Sequence, residues 1–322
     1  MKTIRWVLAH EPIELFLRAA KKFQASMEAI APGALNIEIL TLSEYSEKYN
    51  NGETVTKHDL LDLMAEGKLE VSQMYTSTLG RKHNKDLWAL DLPFLFRDHD
   101  HATNVFEGPI GESLLDGLAD PAKGEKGGVK GLAFTYSGGF RNIPANAEIH
   151  KIEDFEGLEL RCNKSPIATE TLAAVGARPI GLELEQVNEG VQTGKIVGGE
   201  STYPRFYGLK QNECMNTIND TSHSLFLTSI IVSEEFWNGL DADLQAKIKD
   251  ASFDAARAER VWSVEDIDLV KSSCEDDNIN VVTMSDEEKA RFKETTAYVY
   301  DKYADLFTDG LVDSIKETKY FY

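Results

Sequence analysis

The sequence lacks a hydrophobic run long enough to cross a membrane. The longest candidate, SLFLTSIIV at residues 224–232, falls well short of the roughly 20 apolar residues that a spanning helix needs. We therefore expect no insertion into the bilayer. A secretory leader is also missing from the first residues, because polar His10 and Glu11 interrupt the apolar stretch that follows Arg5. The chain is then either cytoplasmic or a mature extracytoplasmic protein whose leader has been removed.

Cysteine is scarce, and its positions point to no metal or redox site. Cys162, Cys214 and Cys274 lie far apart without CxxC spacing, and an odd number cannot all pair within one chain. We interpret them as small buried apolar residues. The DHDH sequence at residues 98–101 could hold a metal. A helix start is favoured there, because residues two apart on a helix do not share a face. No metal site and no cofactor are predicted.

Positive charge is in the minority. The chain has 34 Lys and Arg against 54 Asp and Glu, for a net charge of -20. Such a surface repels phosphate backbones and anionic lipid, which argues against nucleic acid as a partner. The sequence also contains no G-x-S-x-G, P-loop, G-x-G-x-x-G or H-E-x-x-H motif. We therefore predict no catalytic residue and disfavour an enzyme.

What the sequence does contain is an alternation of strand and helix patterns. The pattern of residues 4–8 predicts a strand, the apolar spacing of residues 15–23 predicts a helix, and residues 35–42 predict a second strand. A strand, a helix and a strand in this order form the basic unit of an α/β domain. At 322 residues the chain is about twice the usual domain size, so two domains are expected. The charged, glycine-free run at residues 241–276 predicts a helix of roughly 54 Å, long enough to connect both domains.

Several predicted strands end in polar or aromatic side chains. If these strands are parallel neighbours, their carboxyl ends line one crevice, where ligands bind in open α/β sheets. The crevice would hold two arginines and no recognisable nucleophile, base or metal site, which suits capture of an anion better than catalysis. The candidate ligand-binding residues are His10, Glu11, Tyr75, Tyr136, Arg141, Arg161, Asn163, Glu200, Ser201 and Tyr203.

Arg161 lies at the end of the strand pattern in FEGLELRCNKSP, just before a helix start. Periodicity alone favours a surface arginine paired with Glu159 on the same strand face, for at most about 1 kcal/mol. The alternative is that its planar guanidinium grips a ligand carboxylate through two parallel hydrogen bonds, which lysine cannot reproduce. Asn163 shares the face of Arg161 and is the next candidate contact, whereas Cys162 points into the core.

Residues 152–201 resemble the solute-binding proteins of tripartite ATP-independent periplasmic (TRAP) transporters, in the dicarboxylate-binding branch. The resemblance is carried by a D-x-x-G-x-x-x-R strand that ends at Arg161, a Ser-Pro helix start, a G-A-x-P segment and a G-x-E turn at Glu200. Looser matches at HEP, LDLPFLF and SGGFR extend it over nearly the whole chain.

The resemblance implies an α/β fold of the two-lobed periplasmic-binding-protein type, with a ligand cleft between the lobes and a long helix, about 241–276, that spans both. We expect residues 1–136 and 226–266 in lobe I, and residues 137–225 and 267–322 in lobe II. It also implies a mature periplasmic receptor that acts as a monomer. Its partners would be a small carboxylate ligand and the membrane permease subunits of the transporter.

For the site, the resemblance gives Arg161 the role of the arginine that holds the ligand carboxylate. Arg141 matches a second arginine that assists in some members, and Glu200 lies at the polar turn that faces the pocket. The chain departs from the family pattern at Gly198, where Asp is common, and at Ser201, where several members have Asn. The loss of that amide means that the ligand cannot be taken over from any particular relative.

The acidic residues of the predicted crevice bear on the choice of ligand. Glu11 and Glu200 favour ligand hydroxyls or an amine and disfavour a second carboxylate beside them. We therefore expect a hydroxylated monocarboxylate such as a sugar acid. A C4-dicarboxylate that uses Arg141, and an amino-acid-like or zwitterionic compatible solute, remain alternatives. A scaffold protein is a further alternative and would not respond to any ligand.

Overall fold

A computed structural model describes residues 2–124, 127–163 and 165–320. The chain divides into two compact units of similar size. Unit 1 consists of Met1–Lys85, Val105–Tyr136 and Leu227–Trp262. Unit 2 consists of Asp86–Asn104, Ser137–Phe226 and Ser263–Tyr322.

Within the described residues the strands belong to two sheets. The strands are β1 (Lys2–Leu8), β2 (Leu35–Thr41), β3 (Val71–Tyr75), β4 (Val129–Phe140), β5 (Ile143–Ala145), β6 (Glu159–Cys162), β7 (Arg178–Gly181), β8 (Gly198–Gly199), β9 (Thr217–Asp220), β10 (Leu225–Ser233) and β11 (Asn280–Thr283).

Helices connect most of these strands. They are α1 (Ile13–Ile30), α2 (Leu42–Tyr49), α3 (Leu60–Ala65), α4 (Thr76–Lys82), α5 (His99–Glu107), α6 (Pro109–Asp116), α7 (Pro166–Ala174), α8 (Val187–Gln192), α9 (Tyr203–Gly208), α10 (Glu234–Asn238), α11 (Ala242–Asp276), α12 (Asp286–Thr295), α13 (Tyr298–Lys302) and α14 (Leu311–Glu317). Short 3-10 turns lie at Lys85–Asp91, Ile152–Phe155, Leu184–Gln186, Gln211–Glu213 and Ala304–Leu306.

Unit 1 is built on a sheet with the order β2-β1-β3-β10-β4. β1 runs parallel to both β2 and β3, and β10 runs antiparallel to β3. The predicted strand, helix and strand at the start of the chain are present as β1, α1 and β2. Helix α1 buries Phe16 and Phe23 against the sheet, where Trp6 contacts Phe23 at 5.1 Å between ring centroids. This apolar face is the reason the helix packs where it does.

Unit 2 is built on a second sheet, with the order β11-β9-β5-β8-β6-β7. β6 runs parallel to β7 and β8, while β5 runs antiparallel to β8 and β9. Leu160 and Cys162 of β6 lie in a core cluster with Phe155 and Phe292, so the predicted orientation of Cys162 is confirmed. The alternation of β6 therefore places Arg161 on the other face of the strand.

The division of the chain differs from the sequence-based one slightly, at residues 226 and 263–266, and more substantially at residues 86–104. That segment was expected in lobe I but groups with unit 2. Phe94 N in this segment donates a hydrogen bond to His223 O at 2.7 Å. The guanidinium of Arg97 donates to Lys316 O and Thr318 O, both at 2.8 Å. Such long-range bonds carry no local signal in the sequence.

The predicted long helix is present as α11. It begins at Ala242 and ends at Asp276, and it contributes residues to both units. Among the described residues, no helix combines the length and the apolar composition that crossing a bilayer requires. The three cysteines are unpaired thiols, and two of them, Cys162 and Cys274, are buried.

Candidate functional site

Arg161 is positioned by the close approach of β6 and β8 in unit 2. The two strands are parallel, with Arg161 opposite Gly199, and Glu200 N donates a hydrogen bond to Arg161 O at 3.0 Å. A Cβ atom on residue 199 would lie 2.6 Å from Arg161 O and 2.8 Å from Arg161 Cβ. Position 199 therefore requires glycine. Because Gly199 has no side chain, β8 can approach β6 closely, and Glu200 lies next to Arg161.

The side chain of Arg161 is half-buried and has no acidic partner within ion-pair distance in the described part of the chain. Its Nε donates to Leu182 O at 3.2 Å. Glu159 pairs instead with Arg178 across the β6–β7 register, at 3.6 Å between carboxylate oxygen and Nη1. The surface pairing of Arg161 with Glu159 that periodicity favoured is therefore wrong.

The surroundings of Arg161 disfavour its positive charge. Burial lowers the pKa of Arg161, and the positive charges of Arg205 and Arg141 lower it further, while Glu200 opposes them. A guanidinium stays charged under all ordinary conditions. The lowered pKa therefore means that nearby negative charge does not balance the positive charge of Arg161, so an added anion would stabilise it.

Arg141 enters the same region directly after the end of β4. Within that strand, Gly138 has a φ of +87°, and a Cβ added to it would lie 2.1 Å from Thr202 Oγ1. Only 1% of Arg141 is exposed. Its Nη2 lies 3.5 Å from Asp91 Oδ1, its Nη1 lies 3.8 Å from Glu200 Oε2, and its guanidinium carbon lies 3.7 Å from the centre of the Phe226 ring. Two buried carboxylates and an aromatic face thus hold this cation.

Glu200 is a buried, ionised carboxylate. Burial alone would raise the pKa of Glu200, but Arg141, the hydrogen bond from His223 and the charge of Arg161 outweigh it and lower the pKa from 4.5 to about 2. His223 Nε2 donates to Glu200 Oε1 at 3.1 Å, and His223 Nδ1 lies 2.8 Å from Thr221 Oγ1. Glu200 therefore carries its negative charge throughout the physiological pH range.

Asn163 and Ser201, both predicted, lie with these charged groups. Asn163 is 7% exposed, and its backbone N donates to Glu200 Oε2 at 3.4 Å. Ser201 is bound through its backbone to Asn142, at 3.0 Å from Ser201 N to Asn142 O. Several buried polar atoms of this group have no hydrogen-bond partner among the described residues. They are Asn163 Nδ2, Ser201 Oγ, and Nε and Nη1 of Arg141. The hydroxyl of Ser165 donates a hydrogen bond to the carboxylate of Asp91.

Tyr203 is the predicted unit 2 residue that the structure places elsewhere. It is 2% exposed and packs in the core cluster that contains Phe206 and Ile218. Its hydroxyl donates to Asp220 Oδ2 at 2.9 Å, and burial together with Asp220 raises the pKa of Tyr203. Because Tyr203 starts helix α9 and faces the core, it is a packing residue rather than part of the Arg161 group.

The other predicted residues belong to unit 1, where His10, Glu11 and Tyr75 form a cluster at the ends of β1 and β3. His10 is buried, with Nε2 3.1 Å from Met74 Sδ and its ring centre 4.3 Å from that of Tyr75. Glu11 is exposed, and its carboxylate accepts from Ile13 N at 2.9 Å, so it caps the start of α1. Tyr136 is buried in β4, and its backbone N donates to Glu259 Oε2 at 2.7 Å.

Sequence reasoning missed three members of the unit 2 group. Asp91 is the last residue of a 3-10 turn, His223 lies in the segment before β10, and Phe226 is the second residue of that strand. They come from two segments far from Arg161 in the sequence, so no spacing joins them to Arg161. The aspartate that immediately precedes the apolar LPFLF run was a signal in the sequence.

The DHDH sequence is a helix start, as expected. Helix α5 begins at His99, and Asp98 Oδ1 accepts a hydrogen bond from His101 N at 2.7 Å. The described residues contain no group of three or more His, Cys, Asp or Glu side chains that could hold a metal ion.

Known proteins resemble this chain over almost all its length. The DctP family, bacterial extracellular solute-binding protein family 7, matches residues 9–306. The C4-dicarboxylate-binding periplasmic protein DctP of Rhodobacter capsulatus is 24% identical over 300 residues, which are 93% of this chain and 85% of that protein.

Solved structures give the same fold. A TRAP periplasmic solute-binding protein from Bordetella bronchispeptica, with density interpreted as pantoate, has a TM-score of 0.85 at 22% identity and covers 99% of this chain and 100% of its own. Another, from Pseudomonas putida F1 with bound D-glucuronate, has a TM-score of 0.82 at 20% identity, with coverage of 99% and 100%.

These likenesses confirm the resemblance to TRAP solute-binding proteins and the predicted α/β class of fold, with its two sheets and flanking helices. The match over 9–306 also identifies a solute-binding receptor rather than an enzyme. The chain therefore belongs to the bacterial extracellular solute-binding proteins of family 7.

Proposed function

We propose that this chain captures a small organic acid by its carboxylate and passes it to the membrane permease subunits of a TRAP transporter. The observation that carries the proposal is Arg161. It is a half-buried cation whose pKa is lowered by burial and by its arginine neighbours, and it has no carboxylate within ion-pair distance among the described residues. A ligand carboxylate supplies the missing charge.

The geometry of Arg161 suits this role. Its Nε is bound to Leu182 O, which fixes the plane of the guanidinium and leaves Nη1 and Nη2 as a fork. Two parallel hydrogen bonds from such a fork match the two oxygens of a carboxylate. Arginine is preferred over lysine for this purpose because its donors are held in one plane.

The same charge would couple binding to hinge closure. In the open receptor Arg161 keeps water around its guanidinium, and closure removes that water. The ligand carboxylate then offsets the cost of desolvating the cation, so closure without an anion is unfavourable. We propose that the receptor works in this way as a monomer in the periplasm.

We favour a hydroxylated monocarboxylate, such as a sugar acid, as the ligand. Glu200 is ionised, with a pKa of about 2, and together with Asp91 it already balances the charge of Arg141. A second ligand carboxylate would meet these two acidic groups, whereas hydroxyls would not be repelled. The structural relatives described with pantoate and with D-glucuronate are consistent with this class.

A C4-dicarboxylate is the second candidate. The Rhodobacter capsulatus relative is named for such ligands, and Nε and Nη1 of Arg141 make no hydrogen bond within the described chain, so they could receive a second carboxylate. An amino-acid-like or zwitterionic compatible solute is the third, because Glu200 and Asp91 could pair with an ammonium group.

A thermal-shift screen against organic acids tests the proposal. The library contains uronates, aldonates, pantoate, C4-dicarboxylates and zwitterionic solutes. At one hundred times its dissociation constant, a ligand stabilises the folded protein by about 2.7 kcal/mol. That is a rise of several degrees in Tm for a chain of this size. Hydroxylated monocarboxylates should give the largest shifts. A flat response to every acid would contradict the proposed function.

A further inference from the structure

Phe226 is an aromatic residue whose ring lies against two positive charges. It is the second residue of β10 and is 4% exposed. The guanidinium carbon of Arg141 lies 3.7 Å from the centre of the ring, and that of Arg205 lies 4.8 Å from the same point. Both distances are within the roughly 6 Å over which an aromatic face attracts a cation. One ring therefore contacts two buried arginines.

Arg205 belongs to the same group of charges as Arg161. It lies in helix α9, is 2% exposed, and donates from Nη1 to Ser137 Oγ at 3.1 Å. Thr202 Oγ1 donates to Ser137 O at 2.9 Å, so the start of α9 is bound to β4 at the same residue. Burial lowers the pKa of Arg161 most, and the charge of Arg205 lowers it more than the charge of Arg141 does. A carboxylate bound to Arg161 would therefore also be attracted by Arg205.

The three arginines repel one another, and burial strengthens the repulsion because the protein interior has a lower dielectric constant than water. A carboxylate relieves such repulsion by cancelling a positive charge, as Glu200 does for Arg141. An aromatic ring acts differently. Its face is electron-rich and attracts a cation, yet the ring has no net charge. A ring can therefore hold arginines in place and leave their full positive charge available to an anion.

We propose that Phe226 is a positioning residue of the carboxylate site, which holds Arg141 and Arg205 beside Arg161 through the face of its ring. The inference rests on the proposed function, since it concerns the anion that Arg161 binds. An aliphatic side chain of similar size would fill the same space but would not attract the two guanidinium groups. Repulsion would then move them apart, and the binding of an anion would have to bring them back at a cost in affinity.

Fluorinated phenylalanines at position 226 test the role of the ring face. Monofluoro-, difluoro- and trifluorophenylalanine have nearly the same shape, while each fluorine withdraws electron density from the face and weakens its attraction for a cation. The titrant in calorimetry is the uronate, aldonate, pantoate or C4-dicarboxylate with the largest thermal shift. Affinity should fall progressively along the series, by about threefold to tenfold for the trifluoro ring. A ring that only packs would give no such trend.

Two substitutions show through which groups the ring acts. Phe226→Leu removes the aromatic face and should lower affinity at least as much as the trifluoro ring does. In Arg205→Gln one of the two cations is gone, so the trifluoro ring should reduce affinity less than it does in the wild-type background. The control is trifluorophenylalanine in place of Phe23, a buried residue of unit 1 that packs against Trp6. It should leave affinity unchanged. Thermal unfolding without ligand confirms that each protein is folded.

The outcomes separate this inference from the proposed function. If affinity is the same for every ring of the series, or falls equally when Phe23 is fluorinated, Phe226 is a packing residue and the inference is overturned. The same holds if the effect of fluorine is as large in Arg205→Gln as in the wild-type background. If Arg161→Ala binds the same acid as well as wild type, the proposed function itself fails, whatever the fluorinated proteins show.

Discussion

Glu200 should contribute measurably to the stability of the protein in acid. Its carboxylate is 4% exposed, and its pKa is lowered from 4.5 to about 2, because Arg141, His223 and Arg161 outweigh the effect of burial. The folded state therefore releases this proton more readily than the unfolded chain does. Between pH 4.5 and 2 the unfolded state binds the additional proton, so protonation favours unfolding.

The size of the effect follows from the gap between the two pKa values. It corresponds to about 3 kcal/mol in the free energy of unfolding. This stabilisation is complete above pH 4.5 and is lost as the pH falls to about 2. Asp91 acts with the opposite sign, because burial raises its pKa. Its contribution to stability is greatest below its ordinary pKa and falls as the pH rises through the raised one.

Urea unfolding of wild type and Glu200→Gln at a series of pH values measures the contribution of Glu200. At pH 7 the variant should be less stable by about 3 kcal/mol, since the charge that pairs with Arg141 is gone. The difference from wild type should shrink as the pH falls below 4.5, because the unfolded wild-type chain then gains a proton that folded Glu200 takes up only near pH 2. Taking the difference at each pH cancels the common effect of the other acidic residues, Asp91 included.

Glu213→Gln is the matched control for this experiment. Glu213 is exposed in the same unit, and its replacement makes the same change of charge. Its stability should follow that of wild type at every pH. If Glu200→Gln also follows wild type from pH 7 down to 2, Glu200 is not held as an ionised partner of Arg141, and our view of the site is refuted.

Two further substitutions test the positions of individual residues. Gly199→Ala should destabilise the protein by about 1–3 kcal/mol and weaken ligand binding, because the new Cβ would lie 2.6 Å from Arg161 O. Gly181→Ala, with nothing within 4 Å of its Cβ, should change stability by less than about 0.5 kcal/mol in the same urea titration. Tyr203→Phe should lose about 1 kcal/mol of stability with its bond to Asp220, yet keep wild-type ligand affinity in calorimetry. A large loss of affinity in Tyr203→Phe would show that Tyr203 contributes to ligand binding after all.

The local parts of the fold could be predicted from the sequence. The apolar spacing of α1 and the glycine-free run of α11 correspond to helices in the structure. Alternation along β6 correctly placed Cys162 in the core and Arg161 on the other face. These features depend on neighbours within a few residues, which is where periodicity carries its information.

The charged partners could not be predicted in this way. Glu159 looked like the partner of Arg161 because they are two residues apart on one face, but the parallel register of β6 and β7 brings Arg178 to Glu159 instead. Asp91 meets Arg141 across 50 residues of sequence. Contacts of this kind are set by strand register and by the packing of distant segments, so one sequence gives no sign of them.

Strand β8 shows the same limit at the level of secondary structure. The strand pairing of β8 falls on two glycines, Gly198 and Gly199. Added Cβ atoms there would lie within 2.1 Å of Pro144 O and 2.6 Å of Arg161 O. Glycine has low strand propensity, yet only glycine fits between β5 and β6, so the tertiary contact overrides the local preference.

Calorimetry on two arginine variants tests the central claim most directly. Arg161 lies in β6 and Arg178 in the adjacent parallel strand β7, but the side chain of Arg178 is 69% exposed and pairs with Glu159. With the best acid from the thermal-shift screen as titrant, Arg161→Ala should lose nearly all binding while remaining folded, and Arg178→Ala should bind as wild type does. Equal affinity in Arg161→Ala and wild type would show that the ligand carboxylate is held elsewhere.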